Sequence, residues 1–227
     1  MSFEPLEILP DFVTKPLPES LLVQNHNFYA RFVKRLLDIV LVLLVAPVVL
    51  PVVLIIALVV MRDGHSPFYW SPRVGRNGRI FRMLKLRTMV HDAHGCLDGY
   101  LASDPAAAAE WAETQKLKQD PRITAFGRML RKTSLDELPQ FWNVLTGEMA
   151  LVGPRPMMPD QRTIYPGRAY YVLRPGITGP WQISDRNDSG FAKRADFDLD
   201  YHGSLSFLND LRILLRTAAV VVRGTGY

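Results

Sequence analysis

The sequence predicts an α+β protein that is mainly helical, with an N-terminal re-entrant membrane helix, amphipathic interfacial helices and a small cytoplasmic domain that contains a β-hairpin. Three observations lead to this class. No charged residue occurs from 39 to 61, an Asn-Gly pair separates two apolar runs, and a basic amphipathic segment covers 123–130. We therefore divide the chain into an extended arm (1–30), a re-entrant membrane helix (31–62) and a cytoplasmic domain (63–227).

Composition limits the classes of partner. The chain has 227 residues and a formal net charge of +5, with a sequence pI of about 9.4. A basic balance of this size indicates an anionic partner, which nucleic acid, anionic lipid or a phosphorylated substrate would each provide. The single cysteine, Cys96, excludes an intramolecular disulfide and suits a reducing compartment.

The first two segments differ sharply in polarity. Residues 1–25 carry four prolines among scattered charges, which predicts an extended arm with little structure of its own. The apolar segment that follows is rich in Val, Leu and Ile. As a straight helix, residues 39–61 would be about 34 Å long, which is enough to cross a bilayer.

The topology of the apolar segment depends on its prolines and its flanks. Pro47 and Pro51 lie mid-segment, where each removes a backbone donor and favours a bend. Basic residues occupy both flanks, so the positive-inside rule places both in the cytoplasm. A helix that enters and leaves the same leaflet satisfies both observations. A single pass with one flank overridden is the alternative.

The middle of the chain contains three recognisable elements. Asn77-Gly78 between apolar runs predicts a β-hairpin. Asp104-Pro105 has the cap and first-turn residues of a helix, expected to continue to Lys118. The basic amphipathic segment 123–130 fits a helix on a lipid surface, or equally an ordinary half-buried helix.

The C-terminal half combines helices with stiff loops. Leu135 to Thr146 is predicted to be a helix with acids at its head, closed by Gly147. The Pro- and Gly-rich stretch 150–181 predicts ordered loops, each with an arginine between residues that stiffen the backbone. An apolar, basic helix is expected at about Phe207 to Val222.

The adjacent acids Asp136 and Glu137 have two compatible interpretations. Ser134-x-x-Glu137 matches a capping box, in which serine caps the helix and glutamate reaches back to it. Adjacent carboxylates after a basic run also suit phosphate chemistry, with one acid attacking phosphorus and the other helping to hold a divalent cation.

Nine short motifs occur in an order that resembles the bacterial sugar transferase family, in its monotopic phosphoglycosyl transferase form. Together they extend from about residue 30 to the C-terminus, which makes the resemblance specific. The motifs are Lys34-Arg-Leu-Leu-Asp38, Arg73-Val-Gly-Arg-Asn-Gly78, Lys85-Leu-Arg-Thr-Met89, Asp120-Pro-Arg-Ile-Thr124, Phe126-Gly-Arg128, Arg131 to Asn143, Leu151-Val-Gly-Pro-Arg-Pro156, Arg174-Pro-Gly-Ile-Thr-Gly179 and Trp181-Gln182. The short chain resembles the small exopolysaccharide-initiating members.

The resemblance implies a reaction. Such enzymes transfer a hexose-1-phosphate, galactose- or glucose-type, from a UDP-hexose to undecaprenyl phosphate at the cytoplasmic face of the bacterial inner membrane, and release UMP. It also implies Mg²⁺ as cofactor and the lipid bilayer as a partner, and it leaves a homodimer open. A nucleic-acid partner is not expected, because the basic residues are dispersed among turns without a reading helix.

The resemblance also assigns roles to residues. Asp136 is implied as the nucleophile that forms an aspartyl phosphosugar, and Glu137 as its neighbour in placing Mg²⁺, so that both acids lie at the metal. Substrate phosphate contacts are implied for basic residues of the matching motifs, namely Lys85, Arg87, Arg131 and Arg155. Asp198 matches a carboxylate near the active site. The family often has serine where Ala46 precedes Pro47, and Gly-Arg near Ser184-Asp-Arg186.

Two other functions compete with this one. The basic balance suggests a membrane-tethered nucleic-acid-binding protein, and a membrane scaffold for polysaccharide assembly would need no active site. The intact Asp136-Glu137 pair argues against the scaffold.

Overall fold

The computed structural model describes residues 28–114, 117, 119–184 and 191–222. Nearly all of the predicted arm (1–30) and part of Ser184-Asp-Arg186 therefore lie outside the described residues. The helices are α1 (Lys34–Val60), α2 (Ala93–Ser103), α3 (Pro105–Thr114), α4 (Ala125–Lys132), α5 (Gln140–Thr146), α6 (Ala169–Val172), α7 (Arg194–Gly203) and α8 (Phe207–Val222). The strands are β1 (Phe68–Val74), β2 (Ile80–Leu86), β3 (Ala150–Val152) and β4 (Gly176–Thr178).

Helix α1 is the apolar segment predicted from the sequence. With its flanking turns, Tyr29–Asp63 is long and apolar enough to cross a membrane, with a mean hydropathy of 3.4. Its centre is unprotected by protein, since Leu44, Val48 and Leu50 are all exposed. Helical structure continues through Pro47 and Pro51, and the bend expected at these prolines stays a prediction. The re-entrant path through a membrane stays a prediction.

Both ends of α1 contact the rest of the described domain. At the N-terminal end, Val42 is buried in the largest apolar cluster, and the Arg35 guanidinium donates hydrogen bonds to the carbonyls of Val144 (2.5 Å) and Leu145 (2.9 Å). At the C-terminal end, Ile56 and Ala57 are buried against Leu86 and Leu130. The same folded unit therefore holds the two ends of the apolar segment.

The β-hairpin is confirmed. Strands β1 and β2 pair antiparallel from Phe68 opposite Leu86 to Val74 opposite Ile80. Asn77 in the connecting turn has a φ of 59°, a left-handed conformation that Asn tolerates better than most residues. On β2, the buried Asn143 side chain of α5 bonds the Leu84 amide and the Arg82 carbonyl, which fixes α5 against the hairpin.

A parallel pair of short strands lies within the stretch that we predicted to consist of loops. Ala150 on β3 pairs with Gly176 on β4, and Val152 pairs with Thr178. The two backbone segments approach so closely that a Cβ on Gly176 or Gly153 would overlap the backbone facing it. Glycine is therefore required for this contact, which positions the residues that follow both strands.

Some of the remaining secondary-structure predictions are confirmed, and some helices of the structure were not predicted. Helix α8 occupies the predicted residues, and Asp104 caps α3 by accepting hydrogen bonds from the amides of Ala106 (2.9 Å) and Ala107 (3.1 Å). Helices α2 and α7 were not predicted. Helix α4 buries Leu130 but leaves Met129 exposed, so it is amphipathic as expected, and its lipid contact stays a prediction.

Candidate active site

The two acids lie in a tight turn between α4 and α5 rather than at the head of one long helix. Residues Leu135–Glu137 form a 3-10 turn, and Pro139 precedes α5. Ser134 has a φ of 56° and makes no side-chain capping bond. The capping-box interpretation is therefore wrong. A non-glycine residue in the left-handed region costs energy, and such strain is concentrated at functional sites.

A lysine bridges the acid pair. Lys85 Nζ, on β2, lies 2.7 Å from Glu137 Oε1 and 3.7 Å from Asp136 Oδ2. Lys85 and Glu137 line a cleft that encloses ≈ 330 Å³ of empty space. Asp136 is only 7% exposed and lies beside the cleft wall. The hairpin and the turn thus bring together two acids and a cation from residues about 50 positions apart.

Burial controls the charge of Asp136. Loss of solvent is the main cause that raises the pKa of Asp136 above the ordinary value, and the adjacent Glu137 raises it further. Lys85 and Arg131 act in the opposite direction. Burial thus favours the neutral form of Asp136, whereas the cations around it favour the ionised form.

Opposite the acids, the cleft has an excess of positive charge. Arg73 on β1 and Arg155 after β3 both line the cleft. Burial lowers the pKa of Arg73, and the like charge of Arg155 lowers it further. Arg73 Nε is buried and has no hydrogen-bond partner among the described residues. An uncompensated buried donor beside a second arginine is an arrangement that an anion would stabilise.

A third arginine, Arg194, lies near Arg155 but outside the residues that line the cleft, and we call Arg73, Arg155 and Arg194 together the cationic wall. Arg194 lies 4.1 Å from the ring centroid of Trp181 and 4.6 Å from that of Phe191, and Arg155 lies 5.6 Å from the Trp181 ring. Burial, and then repulsion from Arg155, lower the pKa of Arg194 to about 10. Its Nε also has no partner in the described part of the chain. The aromatic rings hold both guanidinium groups in place.

Asp198 lies on α7, one turn after Arg194, and does not line the cleft. Its carboxylate accepts a 2.5 Å hydrogen bond from the Tyr165 hydroxyl. Burial raises the pKa of Asp198 to about 7, although the Tyr165 bond and Arg194 oppose this shift. Asp198 therefore influences the cleft through Arg194, and its predicted place near the active site is consistent with this position.

The two remaining predicted phosphate ligands differ in surroundings. Arg131 donates from Nε to Thr88 Oγ1 (2.9 Å) and is close enough to Asp136 to lower its pKa. Arg87 instead forms two bonds to Asp63, of 2.6 and 2.7 Å, and a third to the Val60 carbonyl at the end of α1. Arg87 therefore holds the C-terminal end of α1, and a phosphate contact by Arg87 stays a prediction.

The acid pair suits a divalent cation. Two neighbouring carboxylates are the protein ligands that Mg²⁺ typically uses, and phosphate oxygens and water complete its octahedron. Lys85 Nζ already lies between the two carboxylates, which shows that their arrangement accommodates a positive charge. A group of three or more acids, histidines or cysteines with metal-binding geometry does not occur among the described residues, so the substrate would have to contribute ligands.

Sequence reasoning missed Arg73 and Arg194 as site residues. Arg73 belongs to a recognised motif, but its position gave no sign that it would face Arg155. Arg194 lies outside every motif and is separated from Trp181 by 13 positions. The sequence contained no signal for either residue, because Arg73 comes near Arg155, and Arg194 near Trp181, only when the chain folds.

A carboxylate pair beside a cationic cleft is an arrangement suited to phosphate chemistry, and the domain that carries it has a helix long and apolar enough to cross a membrane. The family model for bacterial sugar transferases matches residues 29–224. The chain belongs to that family, as the sequence motifs predicted.

Curated relatives support this assignment. The chain is 47% identical over 199 residues to a UDP-galactose-lipid carrier transferase of Erwinia amylovora, and 46% identical over 199 residues to an undecaprenyl-phosphate galactose phosphotransferase of Salmonella typhimurium. Each match covers 87% of this chain and 42% of the relative, so the chain spans less than half of these proteins. An exopolysaccharide production protein of Sinorhizobium fredii is 46% identical over 170 residues, covering 74% of this chain and 75% of that protein.

Proposed function

We propose that this protein transfers a hexose-1-phosphate from a UDP-hexose to undecaprenyl phosphate and so initiates exopolysaccharide synthesis. The observation that carries the proposal is the Asp136–Glu137 pair, bridged by Lys85 and facing Arg73 and Arg155 across one cleft. Relatives named for galactose and for glucose-1-phosphate transfer support a hexose donor.

The cationic wall would bind the donor diphosphate. Arg155 repels both Arg73 and Arg194 when the cleft lacks an anion, and these two have buried Nε donors without partners among the described residues. A diphosphate would satisfy these donors and relieve the repulsion, through bonds that are shorter and stronger than neutral ones. It would also offer Lys85 a competing anion beside the acids.

In the first step, a carboxylate oxygen of Asp136 attacks the phosphorus that bears the sugar. The new bond joins this oxygen to phosphorus, and the bond from phosphorus to the bridging oxygen breaks, so that UMP leaves with the electron pair. In the second step, an oxygen of the lipid phosphate attacks the aspartyl phosphosugar and frees Asp136. Covalent capture divides a transfer between a soluble donor and a membrane acceptor into two simpler reactions.

Glu137 and Asp136 would together hold Mg²⁺, with Lys85 displaced from between them. When bound, the ion screens diphosphate charge so that a carboxylate can approach phosphorus. A Glu137→Gln variant tests this role, because glutamine preserves size and loses the charge. The expected result is weaker activity and a Mg²⁺ titration shifted to higher concentration. Normal turnover with an unchanged titration would contradict metal binding by Glu137.

A domain that lies on the cytoplasmic face of the inner membrane would have its cleft close to the lipid phosphate. The same domain holds both ends of α1, through Arg35 at one end and Arg87 at the other. This arrangement supports the re-entrant topology, since a helix crossing the bilayer would place its ends on opposite sides. A cysteine near residue 20, with Cys96 removed, should be protected from external reagent in intact cells. Labelling from the periplasm would establish a single pass instead.

The covalent step is tested by intact-protein mass spectrometry. Wild-type protein incubated with Mg²⁺ and a panel of UDP-hexoses, without lipid, should release UMP and gain the mass of a hexose phosphate with the correct donor. Asp136→Asn should fold and gain no mass. Near-normal turnover by this variant would exclude the covalent role. A failure of every UDP-sugar, with anionic polymer bound instead, would favour the scaffold or nucleic-acid alternatives.

A further inference from the structure

A second cavity lies on the opposite side of the 172–177 segment from the active-site cleft. It encloses ≈ 540 Å³ of empty space at the beginning of α1. One part of its wall is apolar, with Val152, Val172 and Leu173 among its residues. The other part is basic, with Lys34, Arg76 and Arg174. A cavity with these two kinds of wall matches a ligand that has an anionic group attached to an apolar body.

The basic part of this cavity has more positive charge than its acids can balance. The nearby Asp210 is occupied, since its carboxylate bonds Lys34 (2.6 Å), Tyr29 (2.7 Å) and Tyr201 (2.6 Å). Neither Arg76 nor Arg174 forms an ion pair or hydrogen bond with a carboxylate among the described residues, although Asp38 is near enough to Arg174 to oppose the lowering of its pKa.

The two arginines differ in what else they contact. Arg174 Nε donates to the Gly147 carbonyl (3.0 Å), and burial, followed by repulsion from Arg76 and Arg35, lowers the pKa of Arg174. Arg76 is exposed and forms no side-chain hydrogen bond with the described residues. The cavity wall also includes His202, whose Nδ1 is buried without a partner in the described part of the chain. These groups together offer an anion at least two guanidinium groups and one further ring nitrogen.

The position of the cavity relative to α1 indicates which kind of molecule would supply the anion. Lys34 is five residues before the first residue of the uncharged stretch, which is about 7.5 Å along a helix. The polar layer of a bilayer is roughly 5–8 Å thick on each side of its hydrocarbon core. Lys34 and the cavity therefore lie at headgroup depth when α1 is in the membrane. Exposed Phe28 and Phe32 flank Ala30 of the cavity wall, as aromatic residues do at membrane interfaces.

We propose that this second cavity binds the phosphate of an anionic phospholipid, with the glycerol and upper acyl chain against Val152, Val172 and Leu173. The site is separate from the sugar-transfer cleft, so it does not depend on the proposed reaction. A bound lipid would neutralise Arg76 and Arg174 and attach the beginning of α1 to the domain through a second set of contacts.

Native mass spectrometry of the purified full chain in detergent tests the proposal. Phosphatidylglycerol and phosphatidylcholine of identical acyl composition are titrated separately. Wild-type protein should bind phosphatidylglycerol at least tenfold more tightly than phosphatidylcholine. Arg76→Glu should abolish this preference and retain the thermal unfolding temperature, since the Arg76 side chain is exposed and forms no hydrogen bond or ion pair with the described residues. Arg79→Glu has the same charge change next to the turn, outside the cavity wall, and should keep the preference.

Three results would overturn the proposal. Equal affinity of wild-type protein for the two lipids would exclude a phospholipid-phosphate site. Loss of the preference in Arg79→Glu as well would reduce the effect to general surface charge. Binding of inorganic phosphate, titrated alone, as tight as that of phosphatidylglycerol would assign the cavity to a free phosphate. Intact UMP release in Arg76→Glu would show that any loss of lipid binding is independent of the active site.

Discussion

Lys85 should determine the pH range of activity, because it is the main cation that keeps Asp136 ionised. Lys85→Met retains the length of the side chain and removes its charge. Lys85 Nζ is 3.7 Å from Asp136 Oδ2, and the lysine side chain is 21% exposed. At an effective dielectric constant of about 20, two unit charges at this separation attract by about 4 kcal/mol, equivalent to about 3 pKa units. Solvent around a partly exposed lysine weakens this attraction, so the value is an upper bound, and we expect the Asp136 pKa to rise when the lysine charge is removed.

The assay is single-turnover UMP release at saturating UDP-hexose and fixed Mg²⁺, measured across pH. The acid limb of the rate profile reports the protonation of the nucleophile. In Lys85→Met this limb should move to higher pH by about 1 unit or more. Activity near pH 6 should then fall about tenfold further than activity near pH 9. The shift has this sign because loss of a nearby cation favours the neutral acid.

Arg82→Met is the matched control. Arg82 lies on the same strand, is exposed, and loses the same charge when replaced. Its acid limb should coincide with that of wild-type protein. Thermal unfolding of both variants separates an effect on Asp136 from loss of structure. An equal fractional loss of activity at every pH in Lys85→Met would refute the reasoning, since Lys85 would then act on substrate binding alone.

Three further changes test the cationic wall, the buried acid and the strand contact. Arg194→Gln should raise the KM for UDP-hexose by about 10- to 100-fold, the loss expected for one charge-assisted hydrogen bond. The control is Lys193→Gln at the exposed neighbouring residue, which should leave the KM unchanged. A KM of Arg194→Gln equal to that of wild-type protein would show that Arg194 does not bind the donor. The raised pKa of Asp198, about 7, means that the folded state binds an extra proton between pH 3.8 and 7. The free energy of unfolding in urea should therefore decrease as the pH rises through this range, by at most about 4 kcal/mol. The decrease should be smaller in Asp198→Asn. Gly176→Ala should destabilise the fold by more than about 2 kcal/mol, because its Cβ would overlap the facing strand, whereas Gly99→Ala, which has open space around it, should be neutral or stabilising in the same titration.

Features that depend on neighbouring residues were predicted well. The apolar helix, the Asn77-Gly78 hairpin, the Asp104 cap and the C-terminal helix all follow from composition, turn chemistry or periodicity within about 20 residues. The strands β3 and β4 were missed because three residues each are too few to show periodicity, and their pairing joins positions that are 26 apart. The capping box failed for a related reason. Its spacing was correct, but Lys85 on a distant strand bonds Glu137 and Ser134 adopts a left-handed conformation.

For this protein, the sequence by itself determined the family, the long apolar helix and the position of the acid pair, because each of these features depends on short runs of contiguous residues. Only the tertiary structure decided which cations face those acids. Arg73, Arg155 and Arg194 come from three separate segments, and Arg155 repels the other two only because the folded chain brings these segments together. The structure likewise decided that Arg87 supports the end of α1. Electrostatic interactions depend on distances of a few ångströms, and the distances between residues that are far apart in the sequence are set by the tertiary structure.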